Sequence, residues 1–400
     1  MPIGDKKGGF VRPGYDPLEV PNEPTSVSVT AGDTELAVSF TAPANTGGGA
    51  ITAYQAATTT GASTTGASSP LTITGLTNDV TYNVRVWALN AYGPGPFGTG
   101  SGTPETLQRG VFAGGYNGPV NTIQYVNIAS TGNATDFGDL LGATANGVGV
   151  GSATRSVFAG NGDTVDNIIQ YITIATTGNA TDFGDLLVGN SSMCGMSSST
   201  RGVFAGGFDA SVGRTNTIQY ITIASTGNAT DFGDAIYSGR YAHVGVVGST
   251  TRGLIGGQQN VTARTNVIQY ITIASTGNAL DFGDLLSATD YMDGVGSSVR
   301  GIFAGGTTGG NPINVIQYVT IASTGNATDF GDLNTPSRLG AGVSSPTRGV
   351  IGIARDGSDS IVNTIEYLTI ATTGNSSDFG DLLSALSQYA GISNSHGGIA

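Results

Sequence analysis

Residues 201–234 read RGVFAGGFDASVGRTNTIQYITIASTGNATDFGD, and this stretch decides the fold. Within TIQYITIA, residues 217–224, Ile218 and Tyr220 fall on one face of an extended strand while Ile221 and Ile223 fall on the other. Both faces are apolar, as a strand packed between two neighbouring sheets requires. The same words recur along the chain. RGVFAGG at Arg109 returns as RSVFAGN at Arg155, RGVFAGG at Arg201, RGLIGGQ at Arg252, RGIFAGG at Arg300 and RGVIGIA at Arg348. The Phe of DFGD stands at 137, 183, 232, 282, 330 and 379, at intervals of 46, 49, 50, 48 and 49. Six units of this length each hold four candidate strands: a Gly-rich stretch such as GVGVGS, the RGVFAGG segment, the NTIQYITIA segment and ATDFGDL. Glycine in the first stretch lets strands crowd an axis, and aspartates such as Asp136 and Asp139 charge the open edge of the last.

A period near fifty with a double glycine resembles the kelch class of propeller repeats. That resemblance makes the Gly-rich strand innermost and places it before the double-glycine strand. The repeats open at Arg109 with a second strand and end in SQYAGISN, residues 387–394, which has the character of a first strand. The C-terminal strand is therefore expected to complete the first blade and lock the ring.

Upstream, PTSVSVT, ELAVSFTAP, ITAYQAATTT, PLTITGL and TYNVRVWALNAYG read as strands of a β-sandwich. Their order resembles a fibronectin type III domain, with Leu76 and Tyr82 at the positions of its tyrosine corner. Phe40 stands where that family more often has a core Trp, and Trp87 is expected to supply the missing bulk. Residues 1–22 are rich in Pro and Gly and lack any strand or helix period. The expected organisation is all-β: an extended arm at 1–22 and a fibronectin type III-like β-sandwich at 23–106. A six-bladed kelch-like β-propeller closed by the C-terminal strand follows at 107–400.

Composition narrows the chemistry. Charged residues make up only 11% and the formal charge is −13, so nucleic-acid phosphates and anionic membranes are repelled. No secretory signal and no apolar run long enough to span a bilayer is read, which excludes membrane insertion. Cys194 is the single cysteine, flanked by Met193 and Met196, and reads as a small buried hydrophobe rather than a disulfide or metal ligand.

The repeats hold one Glu, Glu366, and two histidines, His243 and His396, too few for the acid–base constellation of a sialidase-like propeller. No enzyme, cofactor or metal is expected. Asp356, Gly357, Ser358 and Asp359 read as a solvated loop rather than a calcium site. The arginines that open the second strands and the DFGD aspartates read as ion pairs or capping hydrogen bonds repeated around the ring. The sequon asparagines Asn133, Asn179, Asn228, Asn326 and Asn375 read as turn formers.

The loop after the double glycine and the loop between units should emerge together, since antiparallel strands alternate direction. These loops diverge while the remaining turns stay nearly constant, a pattern expected of a ligand-binding face and equally of unconstrained drift. Tyr116, Phe208, Arg214, Tyr237, Arg240, Tyr241, His243, Arg264, Tyr291 and Arg338 are the ligand-binding candidates on that face. Phe10, Val11, Arg12, Tyr15 and Leu18 in the arm are attachment candidates.

The repeat wording NTIQYITIASTGNATDFGDL looks like that of structural proteins of tailed phages. The resemblance implies a virion protein assembled in the host cytoplasm, present in several copies and joined to other virion proteins through the arm. Its position is expected on a tail or capsid as a fibre-like appendage that binds host surface glycans. A purely architectural role and a cytoplasmic kelch-type adaptor remain alternatives.

Overall fold

The computed structural model describes residues 19–162, 164–209, 211–239, 245–259 and 263–398. The attachment candidates and Arg240, Tyr241 and His243 lie outside these residues. The chain divides into two compact units after Leu107, and both are built from strands.

In the N-terminal unit a three-stranded sheet (Thr25–Gly32, Glu35–Thr41, Leu71–Thr74) faces a four-stranded one (Ser63–Gly66, Ala53–Thr58, Tyr82–Asn90, Gly93–Gly102). Alternation puts Leu36, Val38, Ile73, Val84 and Val86 in the core between them. Tyr82 makes the corner expected of it: its hydroxyl accepts the Thr77 amide at 3.1 Å beside buried Leu76. Trp87 corrects the expectation. The period of two that buries Val84, Val86 and Ala88 turns Trp87 to the opposite face, edge-on to Phe97 at 5.6 Å. Phe40 instead fills its place by packing on Tyr54, ring centres 4.9 Å apart.

In the second unit each repeat forms its own open four-stranded antiparallel sheet. Repeat three shows the pattern: Cys194–Ser197 pairs with Arg201–Ala205, that with Thr217–Thr222, and that with Thr230–Asp234. The first repeat lacks a preceding Gly-rich strand, and Ala390–Ser393 supplies it by pairing with Arg109–Ala113. The third strands behave as their two apolar faces demand. Ile218 and Tyr220 pack with Ile271 and Ile273 of repeat four, while Ile221 and Ile223 pack with Val150 and Phe183 of repeat two. Six hydrophobic clusters each join two consecutive repeats, and one of them joins repeat six (Val343, Val350, Ile365, Phe379) to repeat one (Phe112, Val126, Ile128). First strands neighbour one another in the same cyclic order.

Polar groups repeat across these junctions. Gln219, 2% exposed, accepts the Leu187 amide of the preceding repeat at 2.9 Å, and Gln124, Gln170, Gln269 and Gln317 do the same for Leu383, Leu141, Ile236 and Leu286. In repeat six Glu366 takes the place, accepting the amides of Asn334 and Thr335. Asn228 Oδ1 accepts the Asp185 amide at 3.0 Å, and each sequon asparagine has an equivalent bond, so these residues are inter-repeat brackets as well as turn formers. Gly184 of DFGD explains itself here. It bulges the outer strand at φ 148°, and a side chain would strike the Gly227 carbonyl of the next repeat.

The six arginines form no ion pair with a DFGD carboxylate among the described residues, which corrects that half of the expectation. Each lies over the Tyr of its own repeat, 4.2 Å from the ring centre for Arg109 and 4.7 Å for Arg252. Each also donates Nη1 to a carbonyl of the next repeat, as Arg201 does to Ile273 at 2.9 Å. Past Ser393 the chain crosses the ends of the first strands, where His396 Nε2 meets the Gly151 carbonyl at 3.2 Å and Ser197 Oγ at 3.3 Å. Burial pulls this imidazole down to about 4. Cys194 is buried as expected, and desolvation raises its thiol.

Candidate functional site

Two residues before the first strand of five repeats the chain makes a sharp turn with positive φ. Asn146, Ser192, Tyr291, Leu339 and Gln388 occupy this position at φ 54°, 58°, 58°, 62° and 61°. Their backbones link from repeat to repeat: Ser192 N–H donates to the Asn146 carbonyl, Asn146 to Gln388, Gln388 to Leu339 and Leu339 to Tyr291. The result is a collar across the first-strand ends opposite the C-terminal tail. By register with Gly245, the matching residue of repeat four is His243, outside the described residues. The backbone is the same at each described position and the side chain never is. Positive φ favours Gly and Asn, so keeping Ser, Tyr, Leu and Gln in this conformation costs free energy at each of those positions.

The collar opens onto a cavity of about 370 Å³ lined by Asn146, Ser192, Tyr291, Arg338, Leu339, Arg355, Asp359 and Gln388. Arg338 grips Asp359 Oδ1 through Nε at 2.9 Å and Nη2 at 2.7 Å, and Arg355 reaches Oδ2 at 3.6 Å. Two guanidiniums thus share one carboxylate, and Arg355 Nε is buried without a partner. Asp356 Oδ1 accepts the amides of Ser358 and Ser360. The acidic loop is therefore engaged in turn bonds and ion pairs, where the sequence suggested only solvation.

The loop sets meet as anticipated. Asn190–Ser191 between repeats pairs with Phe208–Asp209 after the double glycine, and Tyr116 pairs with Ser387. Of the sequence candidates, Tyr291 and Arg338 come together in the cavity. Tyr116 is exposed at the surface, Phe208 and Tyr237 are half-buried, and Arg214 donates to the Gln259 carbonyl at 3.4 Å. Arg264 binds Asp290 at 2.7 Å, next to Tyr291. Burial raises the Asp290 carboxyl while Arg264 opposes the rise. Asn146, Ser192, Leu339, Arg355, Asp359 and Gln388 were not anticipated. For Asn146, Ser192, Leu339 and Gln388 the signal was available as a single position, two residues before the Gly-rich strand, whose residue differs in each described repeat.

Residues 22–101 match the model of the fibronectin type III domain, so the N-terminal unit carries that domain. No curated protein matches the chain.

Proposed function

We propose that residues 107–400 are a six-bladed, kelch-like β-propeller closed by the C-terminal strand. We further propose that the chain is an appendage of a tailed-phage virion which binds host surface carbohydrate in the collar cavity. The cyclic succession of inter-repeat clusters supports the ring, and the wording of the repeats supports the virion. One observation carries the binding role: a repeated collar backbone bears a different side chain at each described position and opens on a polar cavity. A frame kept constant under chemistry that varies is the pattern expected of a ligand-binding face, and the polar cavity beneath it favours that reading over drift.

Carbohydrate suits the lining. Sugar hydroxyls exchange hydrogen bonds with the Asn146 and Gln388 amides and with guanidinium N–H groups, and the Tyr291 ring offers a face for sugar C–H groups. Binding rather than catalysis follows from the carboxylate: Asp359 is committed to two arginines and is no free acid or base. Weak single sites gain strength from several copies on one particle, held through the N-terminal arm.

The test is retention of the full chain on polysaccharide purified from the host. Tyr291→Asn combined with Gln388→Asn, both tolerant of positive φ, should lower affinity at least tenfold with Tm unchanged. Co-sedimentation of the chain with purified particles tests the virion assignment separately. A wild-type chain that sits on particles yet retains no polysaccharide would leave the architectural role.

A further inference from the structure

The first strands open in register with Val148, Cys194, Asp293, Ala341 and Ala390 in five of the repeats. Four of these are apolar or nearly so, and one is a carboxylate. Asp293 is 2% exposed and neither of its oxygens has a hydrogen-bond partner. One residue earlier, Met193, Met292 and Tyr389 carry large side chains, whereas Gly147 and Gly340 carry none. A side chain at Gly340 would begin 2.8 Å from Asp293 Oδ2, so the carboxylate points into the space that this glycine leaves. Tyr389, 1% exposed, borders the same space, and its hydroxyl is also without a partner. Together they line a cavity of about 90 Å³ just beneath the collar, bordered also by first-strand glycines such as Gly149, Gly195 and Gly391 and by Met193, Cys194 and Met292. Each first strand ends its sheet, so half of its N–H and C=O groups face away from any paired strand.

Two buried, orphaned oxygen-bearing side chains bordering one cavity need a common partner. Among the described residues no cationic side chain offsets Asp293, whose carboxyl is raised by desolvation. We propose that this axial cavity binds a monovalent hard cation, sodium or potassium, ligated by the Asp293 carboxylate, the Tyr389 hydroxyl, first-strand carbonyls and water. A hard cation takes oxygen donors, and the unpartnered polar atoms at this cavity are oxygens, those of Asp293 and Tyr389. One carboxylate balances one positive charge, whereas calcium sites gather six to eight oxygens and commonly several carboxylates. The volume admits the ion with about two waters, at roughly 30 Å³ each. No collar side chain takes part, so the inference is independent of the carbohydrate reading.

The test is thermal unfolding of the full chain, exchanged into choline chloride and titrated with sodium, potassium or calcium at constant ionic strength. Sodium or potassium should raise Tm saturably, by roughly 5 °C at a hundredfold excess over half-saturation, and Asp293→Asn should abolish the rise. Should Asp293→Asn not fold, Tyr389→Phe keeps the carboxylate, removes one ligand and should raise the half-saturating concentration about tenfold. No ion-specific shift in the wild type, an undiminished shift in Asp293→Asn, or an unchanged half-saturation in Tyr389→Phe would overturn the proposal. A response to calcium alone would overturn the monovalent assignment.

Discussion

Among the described residues, removing 387–400 takes away the one strand that pairs the end of the repeats with their beginning. Four residue pairs between Ala390–Ser393 and Arg109–Ala113 are lost. Tyr389 leaves the cluster between repeats six and one, where it packs edge-on to Phe112 at 5.8 Å, and Ile392 leaves the cluster between repeats one and two. Core truncations of an aromatic residue and an isoleucine each cost about 2–5 kcal/mol. With Ile392 at 9% exposure and placed low in that range, the side chains alone come to roughly 6 kcal/mol, before the lost pairing. Domains have about 5–15 kcal/mol in total, so the loss is comparable with the whole stability. Circular dichroism should show the repeat unit melting at least 10 °C lower. Hydrogen exchange should show Val111–Ala113 losing protection, and a synthetic peptide of residues 385–398 added in trans should restore it. A truncated chain melting within 2 °C of full length would refute the reasoning.

Gln219→Ala removes a buried side chain together with its bond to the Leu187 amide and should cost about 2 kcal/mol, whereas Asn228→Ala, an exposed bracket, should cost about 0.5–1 kcal/mol; urea unfolding measures both. Phe40→Ala should cost the fibronectin type III domain about 3–5 kcal/mol and Trp87→Ala only about 1 kcal/mol, reversing the order expected if Trp87 filled the core. His396 makes the repeats acid-sensitive. Its folded value, about 4, lies below the ordinary 6.5, so its contribution is complete above pH 6.5 and is lost as pH falls towards 4. Wild type should lose about 2 kcal/mol more than His396→Gln between pH 7 and pH 4.5, read from paired melts. Equal acid slopes for the two proteins would contradict that placement of the imidazole.

Much of the repeat unit could be read from side-chain period alone. Ile218, Tyr220, Ile221 and Ile223 announced two buried faces because alternation is a local property, and SQYAGISN resembled a first strand closely enough to indicate its partner. The arginines were harder. Their acceptors are backbone carbonyls such as Ile273, 72 residues from Arg201, and a carbonyl leaves no trace in residue identity. The sequon asparagines and DFGD glycines were opaque for the same reason: what they meet is the backbone of the next repeat. Gln219 and its equivalents did carry a legible sign, a polar residue fixed between Ile and Tyr on a strand otherwise buried. Trp87 misled because composition shows bulk but not the face it occupies. The candidate site was half visible: Tyr291 and Arg338 stood out by type, whereas Asn146, Ser192 and Gln388 matter only through their shared position in the collar.

The measurement that bears most directly on the account is cryo-electron microscopy of the isolated chain. Face-on averages of the repeat unit should show six wedges of density round an axial opening, with continuous density between the first and last repeats where Ala390–Ser393 pairs with Arg109–Ala113. An open arc, or a gap at that junction, would contradict the ring on which the collar and its cavity depend.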